Sequence, residues 1–356
     1  MKKILILLVV LLLPLKVNAF SSNAKATVLM DIDSHRVLYA DDAHYTQSVA
    51  SISKIMTAVV ALENANIQKT VTVGDEILKA YGSGIYVKQG EKMKLEDLLY
   101  GLMLRSGNDA ALVIAQAVAG STEKFVELMN KKAQELGMTD TTFNNPSGLD
   151  EEKGNYSSAY DMALLMSYAM QNEDFRTITA TKDHSVKTNK NFYKWHNKNK
   201  LLSTYKYTTG GKTGFTKIAK RTLVTSASKD DLNLTVVTLN DGSDWSDHKN
   251  LYEEAFKKYQ SYTILDKGPI SILGESYYNK DTLYLKKEFK YPLLNTETEA
   301  INLKFEIEKK RSYKNGDKVG IVKISIGDKK IGERSIYVEK GKANKSFWEK
   351  LKNLIN

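Results

Sequence analysis

The chain contains no cysteine in its 356 residues, so it forms no disulfide bonds and depends on its hydrophobic core for stability. It has few histidines, and their positions lack the spacing of metal ligands: His35, His44, His184, His196 and His248. We therefore expect no metal and no cofactor, and we interpret the histidines as structural or surface residues. Internal repeats and low-complexity stretches are also missing. The length is sufficient for two domains.

Long hydrophobic runs are missing except at the N-terminus, where residues 4–13 contain no polar side chain. Two lysines precede this run, and the small-residue segment Val17-Asn18-Ala19 follows it. The pattern predicts a signal peptide over residues 1–19, cleaved after Ala19. The run is too short to cross the roughly 30 Å of a bilayer core as a helix, so an uncleaved anchor is the weaker alternative. We expect export to the outer face of the cytoplasmic membrane or the cell wall.

The charge is moderately basic, with 52 basic and 42 acidic residues and a formal charge of +10. Without residues 1–19, 49 basic residues remain against 42 acidic ones, a charge of +7. Such an excess suits an anionic membrane surface or wall polymer. We find no nucleic-acid recognition motif and expect no nucleic-acid partner.

The segment Ser51-Ile52-Ser53-Lys54 opens a helical pattern that continues to Glu63, with apolar residues three and four positions apart. The pattern predicts that Ser51 lies at the helix start, with Lys54 on the same side. A serine needs a base to become a nucleophile, and a lysine can act as that base if burial or a second positive charge lowers its pKa. Ser-x-x-Lys alone is a weak signal, because it occurs at five further places.

Two further motifs follow Ser51-Ile52-Ser53-Lys54 in the chain, and the three in this order are a specific signal. Ser106-Gly107-Asn108 lies between a helix predicted from Leu95 to Met103 and another predicted from Ala110 to Val118. Asn108 or Asp109 is predicted to cap the second of these helices. Lys212-Thr213-Gly214, the only Lys-Thr-Gly in the chain, lies in an extended, glycine-rich segment. The glycine-spaced segment 81–86 is interpreted as a turn or as the rim of a substrate groove.

Strand patterns lie at both ends of the first 261 residues, with helices between them. A strand pair is predicted across residues 27–39 and a hairpin across residues 221–239, followed by a helix over residues 248–259. This arrangement predicts an α+β domain with one antiparallel sheet that carries helices. The sequence thus predicts four segments: the signal peptide at residues 1–19, this α+β domain at residues 20–261, and two C-terminal segments at residues 262–340 and 345–356.

The region 262–340 has strand signals only and predicts a small all-β domain, with a linker near Pro269. Residues 301–307 alternate as in a half-buried strand. The last segment, residues 345–356, is an amphipathic helix with aromatic and aliphatic residues opposite lysines. It predicts association with a membrane surface, with docking on the β domain as the alternative.

Taken together, the three motifs resemble those of the penicillin-binding acyl-serine enzymes. With Gly137-Met138-Thr139-Asp140-Thr141, the chain resembles a low-molecular-mass penicillin-binding protein of the serine-type D-alanyl-D-alanine carboxypeptidase family. The resemblance covers nearly the whole mature chain and implies a β-lactamase/transpeptidase-like fold. It implies as substrate a peptidoglycan stem peptide that ends in D-Ala-D-Ala, and β-lactams as covalent inhibitors.

The resemblance also implies roles for the matching residues. Ser51 would be the nucleophile, Lys54 its base, Ser106 a proton relay and Asn108 an orienting group. Lys212 and Thr213 would hold the terminal carboxylate, with the positive charge of Lys212 also lowering the pKa of Lys54. Gly214 lets a substrate approach the strand edge, and the N–H groups of Ser51 and Phe215 would form the oxyanion hole.

The chain departs from the family pattern at two places. Phe215 stands where members often have a histidine or tyrosine, so it offers no side-chain hydrogen bond. Ala219-Lys220 stands where many members have Ala-Gly. Three other functions are open: a β-lactamase, a D,D-endopeptidase that cuts cross-links, and a non-enzymatic wall-binding or β-lactam-sensing protein.

Overall fold

The computed structural model describes residues 20–150 and 153–341. Its first domain contains an antiparallel five-stranded sheet with the order β2-β1-β11-β10-β9. The strands are β1 (Ala26–Asp31), β2 (Val37–Asp41), β9 (Thr208–Thr216), β10 (Lys220–Lys229) and β11 (Leu232–Leu239). The predicted N-terminal strand pair and the predicted 221–239 hairpin are both confirmed. Strand β9, which carries the Lys-Thr-Gly motif, lies at the edge of the sheet.

Helices cover both faces of this sheet. Alternate residues of β1 point to opposite faces, so Val28 and Met30 join one hydrophobic core and Leu29 joins the other. The helices are α1 (Lys54–Asn64), α2 (Leu95–Arg105), α3 (Asn108–Ala119), α4 (Thr122–Glu135), α5 (Ala159–Ala169), α6 (Glu173–Ala180), α7 (Leu201–Thr204) and α8 (Asp244–Lys258). Residues from α1 to α6 belong to the larger core, and α8 packs on the other face. The predicted α+β organisation is confirmed.

Three short strand pairs complete the domain. They are β3 (Gln47–Ser48) with β6 (Tyr156–Ser157), β4 (Thr70–Thr72) with β5 (Lys92–Lys94), and β7 (Asp183–Lys187) with β8 (Phe192–His196). Single turns of 3-10 helix span Ala50–Ser53 and Asp75–Lys79. The pairs fasten loops to the helical layer and so support the rim of the cleft described below.

Helix boundaries differ from the predicted ones at three places. Ser51 lies in the 3-10 turn and α1 begins only at Lys54, because helix starts often tighten into 3-10 geometry. Gly107 is the N-cap of α3, and Asn108 is its first residue rather than its cap. Helix α8 begins at Asp244, four residues before the predicted start. Acidic residues occupy its first turn, where their negative charges interact favourably with the positive end of the helix dipole.

The second domain is built from strands, as predicted. A five-stranded sheet has the order β13-β14-β18-β17-β16, and β12 pairs with β15. The strands are β12 (Tyr259–Leu265), β13 (Gly268–Ile270), β14 (Thr282–Leu285), β15 (Phe289–Leu294), β16 (Ile301–Ile307), β17 (Lys318–Ile326) and β18 (Lys329–Glu339), with a 3-10 turn at Asn295–Ala300. Pro269 does not mark a linker. It lies in edge strand β13, a position that tolerates a residue without an N–H.

Arg36, in the turn between β1 and β2, contacts the second domain. Its guanidinium donates to both carboxylate oxygens of Glu297, at 2.6 and 2.9 Å, and to the carbonyl oxygen of Pro292. The rings of Tyr259 and Tyr291 lie 5.3 Å from the same guanidinium carbon. One side chain thus fastens the two domains together. The predicted domain boundary at residue 261 falls inside β12. The division into residues 20–261 and 262–340 stays a proposal.

Two predicted segments, the signal peptide at residues 1–19 and the amphipathic helix at residues 345–356, lie outside the described residues. Within residues 20–150 and 153–341, no helix has both the length and the apolar character needed to cross a membrane.

Candidate functional site

The three sequence motifs meet at one cavity of about 350 Å³, between the edge strand β9 and the helical layer. Of the eight predicted site residues, five line its wall: Ser51, Ser106, Thr213, Gly214 and Phe215. The other three lie behind the wall, each at most 3% exposed: Lys54, Asn108 and Lys212. Segments more than 150 residues apart in the chain therefore form one site.

Ser51 and Lys54 face each other across one helical turn. The Lys54 Nζ lies 3.1 Å from the Ser51 Oγ, within hydrogen-bond distance. Ser51 is partly exposed in the cavity, whereas Lys54 is completely buried. The spacing of three residues predicts this proximity, because side chains at i and i+3 lie on the same side of a helical turn.

Two further oxygens surround the Lys54 amine. The Asn108 Oδ1 lies 2.8 Å from Nζ, and the carbonyl oxygen of Ser147 is a third partner. Both of these oxygens can only accept hydrogen bonds. A neutral amine has two N–H donors and one lone pair, so these two partners take the donors and turn the lone pair towards the Ser51 hydroxyl. The geometry suits removal of the serine proton.

The surroundings of Lys54 also favour its neutral form. Burial and, to a smaller extent, the positive charge of Lys198 together lower the pKa of Lys54 to about 7. The sequence led us to expect this second contribution from Lys212. Instead, burial first and then the charges of Lys54 and Lys198 lower the pKa of Lys212 well below its usual value.

The link between α2 and α3 presents Ser106 and Asn108 to the site. Ser106 ends α2 in the left-handed region, at φ 63°, and this sharp reversal aims its side chain into the cavity wall. The Asn108 N–H donates to the Ser83 carbonyl at 2.8 Å, and its Nδ2 donates to the Tyr81 carbonyl at 2.6 Å. Ser83 itself lines the cavity, in agreement with the interpretation of segment 81–86 as a rim.

Asp109 holds this rim segment in place. Its carboxylate accepts hydrogen bonds from the backbone N–H groups of Ile85, Tyr86 and Val87. It also accepts the N–H of Ala110 at the start of α3. A single buried carboxylate therefore joins the rim to the helix that carries Asn108.

Strand β9 forms the opposite wall. Gly214 passes so close to the 3-10 turn that a Cβ built on it would lie 3.1 Å from the backbone nitrogens of both Ser51 and Ile52 and would overlap the Thr222 hydroxyl. Lys212 lies behind the strand and donates to the Thr213 carbonyl at 2.8 Å. A glycine at position 214 is therefore needed for the strand to approach the nucleophile turn.

The polar groups of β9 alternate between the two sides of the strand. The hydroxyl of Thr179 on α6 contacts both the N–H and the C=O of Gly211, which therefore point away from β10. By the two-residue period of a strand, Thr213 and Phe215 point their N–H and C=O groups the same way, towards the cleft. The side chain of Phe215 is 66% exposed.

Sequence reasoning missed Lys198, whose side chain lines the cavity and lies 3.3 Å from the Ser83 hydroxyl. Two buried asparagines flank it. The Asn197 amide donates to the Thr181 carbonyl at 2.9 Å, and the Asn199 amide donates to the Gly210 carbonyl at 3.2 Å. The sequence Asn197-Lys198-Asn199 was the signal that could have indicated this position. Asparagine side chains commonly form hydrogen bonds with the backbone of a loop, and two of them would fix the lysine between them.

It also missed an ion pair at the far side of the cavity. Arg221 on β10 and Asp244 at the start of α8 both line the wall, beside Trp245. Asp244 lies four positions before the predicted helix start at residue 248, so the sequence did not place it on the helix. No local sequence pattern connects it to Arg221. Within the residues that the structure describes, no group of three or more His, Asp or Glu side chains is arranged to hold a metal ion.

Comparisons with known proteins agree with this architecture. The D-alanyl-D-alanine carboxypeptidase family model matches residues 15–243, and the model of the penicillin-binding protein 5 C-terminal domain matches residues 259–342. The D-alanyl-D-alanine carboxypeptidase DacF of Bacillus subtilis is 34% identical over 260 residues, which cover 70% of this chain and 66% of the relative. DacC of Escherichia coli is 36% identical, over 69% of this chain and 64% of the relative.

These alignments therefore span slightly under two thirds of the relatives' own lengths. Among solved structures, penicillin-binding protein 5 of Haemophilus influenzae superposes with a TM-score of 0.75 at 26% identity, over 90% of this chain and 98% of that one. DacD of Francisella tularensis superposes with a TM-score of 0.69 at 25% identity, over 90% and 94%. Both comparisons include the second, all-β domain as well as the first.

Proposed function

Because the chain belongs to the D-alanyl-D-alanine carboxypeptidase family, we propose that it is a serine-type carboxypeptidase that removes the terminal D-alanine from peptidoglycan stem peptides. One observation carries this proposal: the Lys54 amine is buried, lies 3.1 Å from the Ser51 hydroxyl, and has two acceptor-only oxygens as its other partners. This is the arrangement that a serine nucleophile with a lysine base requires.

The reaction begins with proton transfer from Ser51 to neutral Lys54. The Ser51 Oγ then attacks the carbonyl carbon between the two terminal D-alanines, and a tetrahedral oxyanion forms. The N–H groups of Ser51 and Phe215 stabilise this oxyanion, a role supported by the close approach of Gly214 to the Ser51 turn and by the alternation along β9. Donors of this type lower the barrier by about 3 kcal/mol each.

Collapse of the intermediate breaks the peptide bond and leaves an acyl-ester on Ser51. The leaving amine takes its proton from Lys54 through the Ser106 hydroxyl, which lines the same cavity. A water molecule then attacks the ester while Lys54 accepts its proton, and Lys54 passes that proton to the Ser51 oxygen as the ester bond breaks and the shortened peptide leaves. The carbonyl of Ser147 and the amide of Asn108 hold Lys54 through both steps.

A β-lactam would follow the same first step. Attack by Ser51 on the lactam carbonyl opens the ring, but the amine released stays attached to the acyl group and does not diffuse away. We therefore propose long-lived covalent labelling by penicillin. Rapid, repeated hydrolysis of penicillin would instead identify a β-lactamase.

The substrate lies outside the cytoplasm, so the proposed function needs export. The sequence pattern of residues 1–19 supports a signal peptide, and residues 345–356 support attachment to a membrane surface. Deleting residues 345–356 should release the exported protein from membranes, and continued binding would contradict this part of the proposal.

The test is incubation with a pentapeptide stem, followed by mass analysis for the loss of one alanine. Ser51→Ala should abolish both this loss and labelling by fluorescent penicillin. Ser203→Ala is the matched control, because Ser203 also precedes a lysine by three residues but is exposed and does not line the cavity. Activity that survives in Ser51→Ala would overturn the mechanism.

A further inference from the structure

Lys212, which the resemblance implies as the carboxylate-binding cation, is poorly placed for that contact. Its side chain is 1% exposed, it does not line the cavity, and its Nζ donates to the carbonyl of the next residue. Burial also lowers its pKa well below the usual value for a lysine. A ligand carboxylate needs a cation that it can reach.

Two cationic side chains do line the cavity, Lys198 and Arg221. Lys198 lies on the wall formed by the rim and is directed at the Ser83 hydroxyl. Arg221 lies on the opposite wall, on β10, directly across from Phe215 of β9. Its side chain is 43% exposed, so it is open to a ligand in the cleft.

The guanidinium of Arg221 is held rigidly on one side. Its Nε and Nη2 donate to the two carboxylate oxygens of Asp244 at 2.6 to 3.1 Å, and the Asp244 side chain is 3% exposed. The ring of Trp245 lies 5.8 Å from the guanidinium carbon. Asp244 is itself fixed, because it also accepts the backbone N–H of Trp245 at 2.8 Å.

This arrangement leaves one edge of the guanidinium available. A guanidinium carries five N–H donors in a planar fork, and Asp244 occupies the Nε and Nη2 side. None of the described residues accepts a hydrogen bond from Nη1. A fixed cation with unpaired donors therefore lies in the wall of a cavity that Thr213 also lines, and a guanidinium fork of this kind matches the geometry of a carboxylate.

We propose that Arg221 binds the terminal carboxylate of the substrate through Nη1, with the Thr213 hydroxyl as the second donor. Asp244 is the positioning residue that holds the guanidinium in the wall. This assignment rests on the proposed function, and it leaves Lys212 buried behind β9 as a donor to the Thr213 carbonyl. Arg221 then makes the enzyme prefer peptides that end in a free carboxylate.

The test compares two peptides that end in D-Ala-D-Ala, one with a free carboxylate and one with a terminal amide. In the wild-type chain, the free acid should be the better substrate. Replacing Arg221 removes a charge-assisted hydrogen bond, so kcat/KM for the free acid should fall about tenfold, mainly through KM, while kcat/KM for the amide stays unchanged. The preference for the free acid should therefore disappear.

Arg221→Gln alone would leave the buried Asp244 carboxylate without its partner. The variant of choice is therefore Arg221→Gln combined with Asp244→Asn, which keeps a neutral hydrogen-bonded pair. Arg221→Lys, which keeps the charge but not the fork, should give an intermediate loss. Lys217→Gln is the matched control, because Lys217 is an exposed cation near the same strand end but does not line the cavity.

Unchanged turnover of the amide peptide, which lacks the terminal carboxylate, reports an intact Ser51 site in each variant. An equal loss on both peptides, or no loss on the free acid, would overturn the assignment of Arg221 while leaving the proposed function in place. A wild-type chain that releases no D-alanine from the free acid would overturn the proposed function together with this inference.

Discussion

The Nζ of Lys54 lies 2.8 Å from the Oδ1 of Asn108, although 54 positions separate the two residues. Each is the first residue of its helix, Lys54 of α1 and Asn108 of α3. The positive ends of two helix dipoles therefore converge on one amine, and this field disfavours the ammonium form. The two helix dipoles thus favour the neutral amine of Lys54, as its burial does.

The first prediction concerns the charge of the group next to Lys54. Asn108→Asp would place a carboxylate beside the amine, stabilise the ammonium form and raise the pKa of Lys54. Because the neutral amine is the active form, the acid limb of penicillin acylation should move to higher pH by about one unit or more. Asn108→Ala removes the same hydrogen bonds without adding charge. If both variants slow acylation equally at every pH, the role of charge is excluded.

The second prediction concerns pH dependence and Lys198. In the wild-type chain, acylation should rise with pH through about 7, where Lys54 loses its proton. Lys198→Met removes the positive charge that adds to burial, so the pKa of Lys54 should rise and the acid limb should shift to higher pH. Lys200→Met, an exposed lysine two residues on, should leave the profile unchanged. An unshifted profile in Lys198→Met would show that burial alone sets this pKa.

The third prediction concerns the approach of β9 to the nucleophile. In Gly214→Ala, the added methyl group would press on the backbone nitrogens of Ser51 and Ile52 and on the Thr222 hydroxyl. The oxyanion donors would move apart, and the acylation rate should fall by about 100-fold or more. Gly242→Ala is the control, because a Cβ there meets no atom within 4 Å. Rates within a factor of two of wild type for Gly214→Ala would refute this account of the strand.

The fourth prediction concerns the contact between the domains. Arg36→Ala leaves Glu297 and the Pro292 carbonyl without their partner, at a cost of about 2 kcal/mol. The thermal midpoint should fall and protease cleavage near residues 259–265 should quicken, with little change in penicillin acylation. Lys25→Ala breaks an exposed ion pair and should change neither measurement. A loss of acylation in Arg36→Ala would instead couple the second domain to the site.

The sequence predicts the strands well, because β-branched alternation and tight turns are local signals. The pairs around residues 33–35 and 229–231 follow from them, as does the strand over residues 301–307, although Leu303 of that strand is exposed. The three motifs also identify which segments meet in space. Residues 169–207 gave no prediction, since α6, the β7–β8 hairpin and α7 are short and lack a sustained period.

The parts of the site that were missed depend on long-range contacts. Lys198 comes from this unpredicted region, and Arg221 and Asp244 meet only because β10 and α8 pack together. The carbonyl oxygen of Ser147 is a backbone group, so no residue type reveals that it contacts Lys54. The burial of Lys212 likewise follows from the position of β9 against the helical layer and not from the Lys-Thr-Gly motif itself.

Strand β9 has one side without a neighbouring strand, which in most proteins invites association with another chain. Here the Thr179 hydroxyl occupies the outward groups of Gly211, and Lys212 occupies the Thr213 carbonyl. The open stretch is therefore shortened to the N–H of Thr213 and the backbone groups of Phe215. A strand from a second molecule would gain too few backbone hydrogen bonds there to stay, so the fold discourages self-aggregation at the place where it must remain accessible.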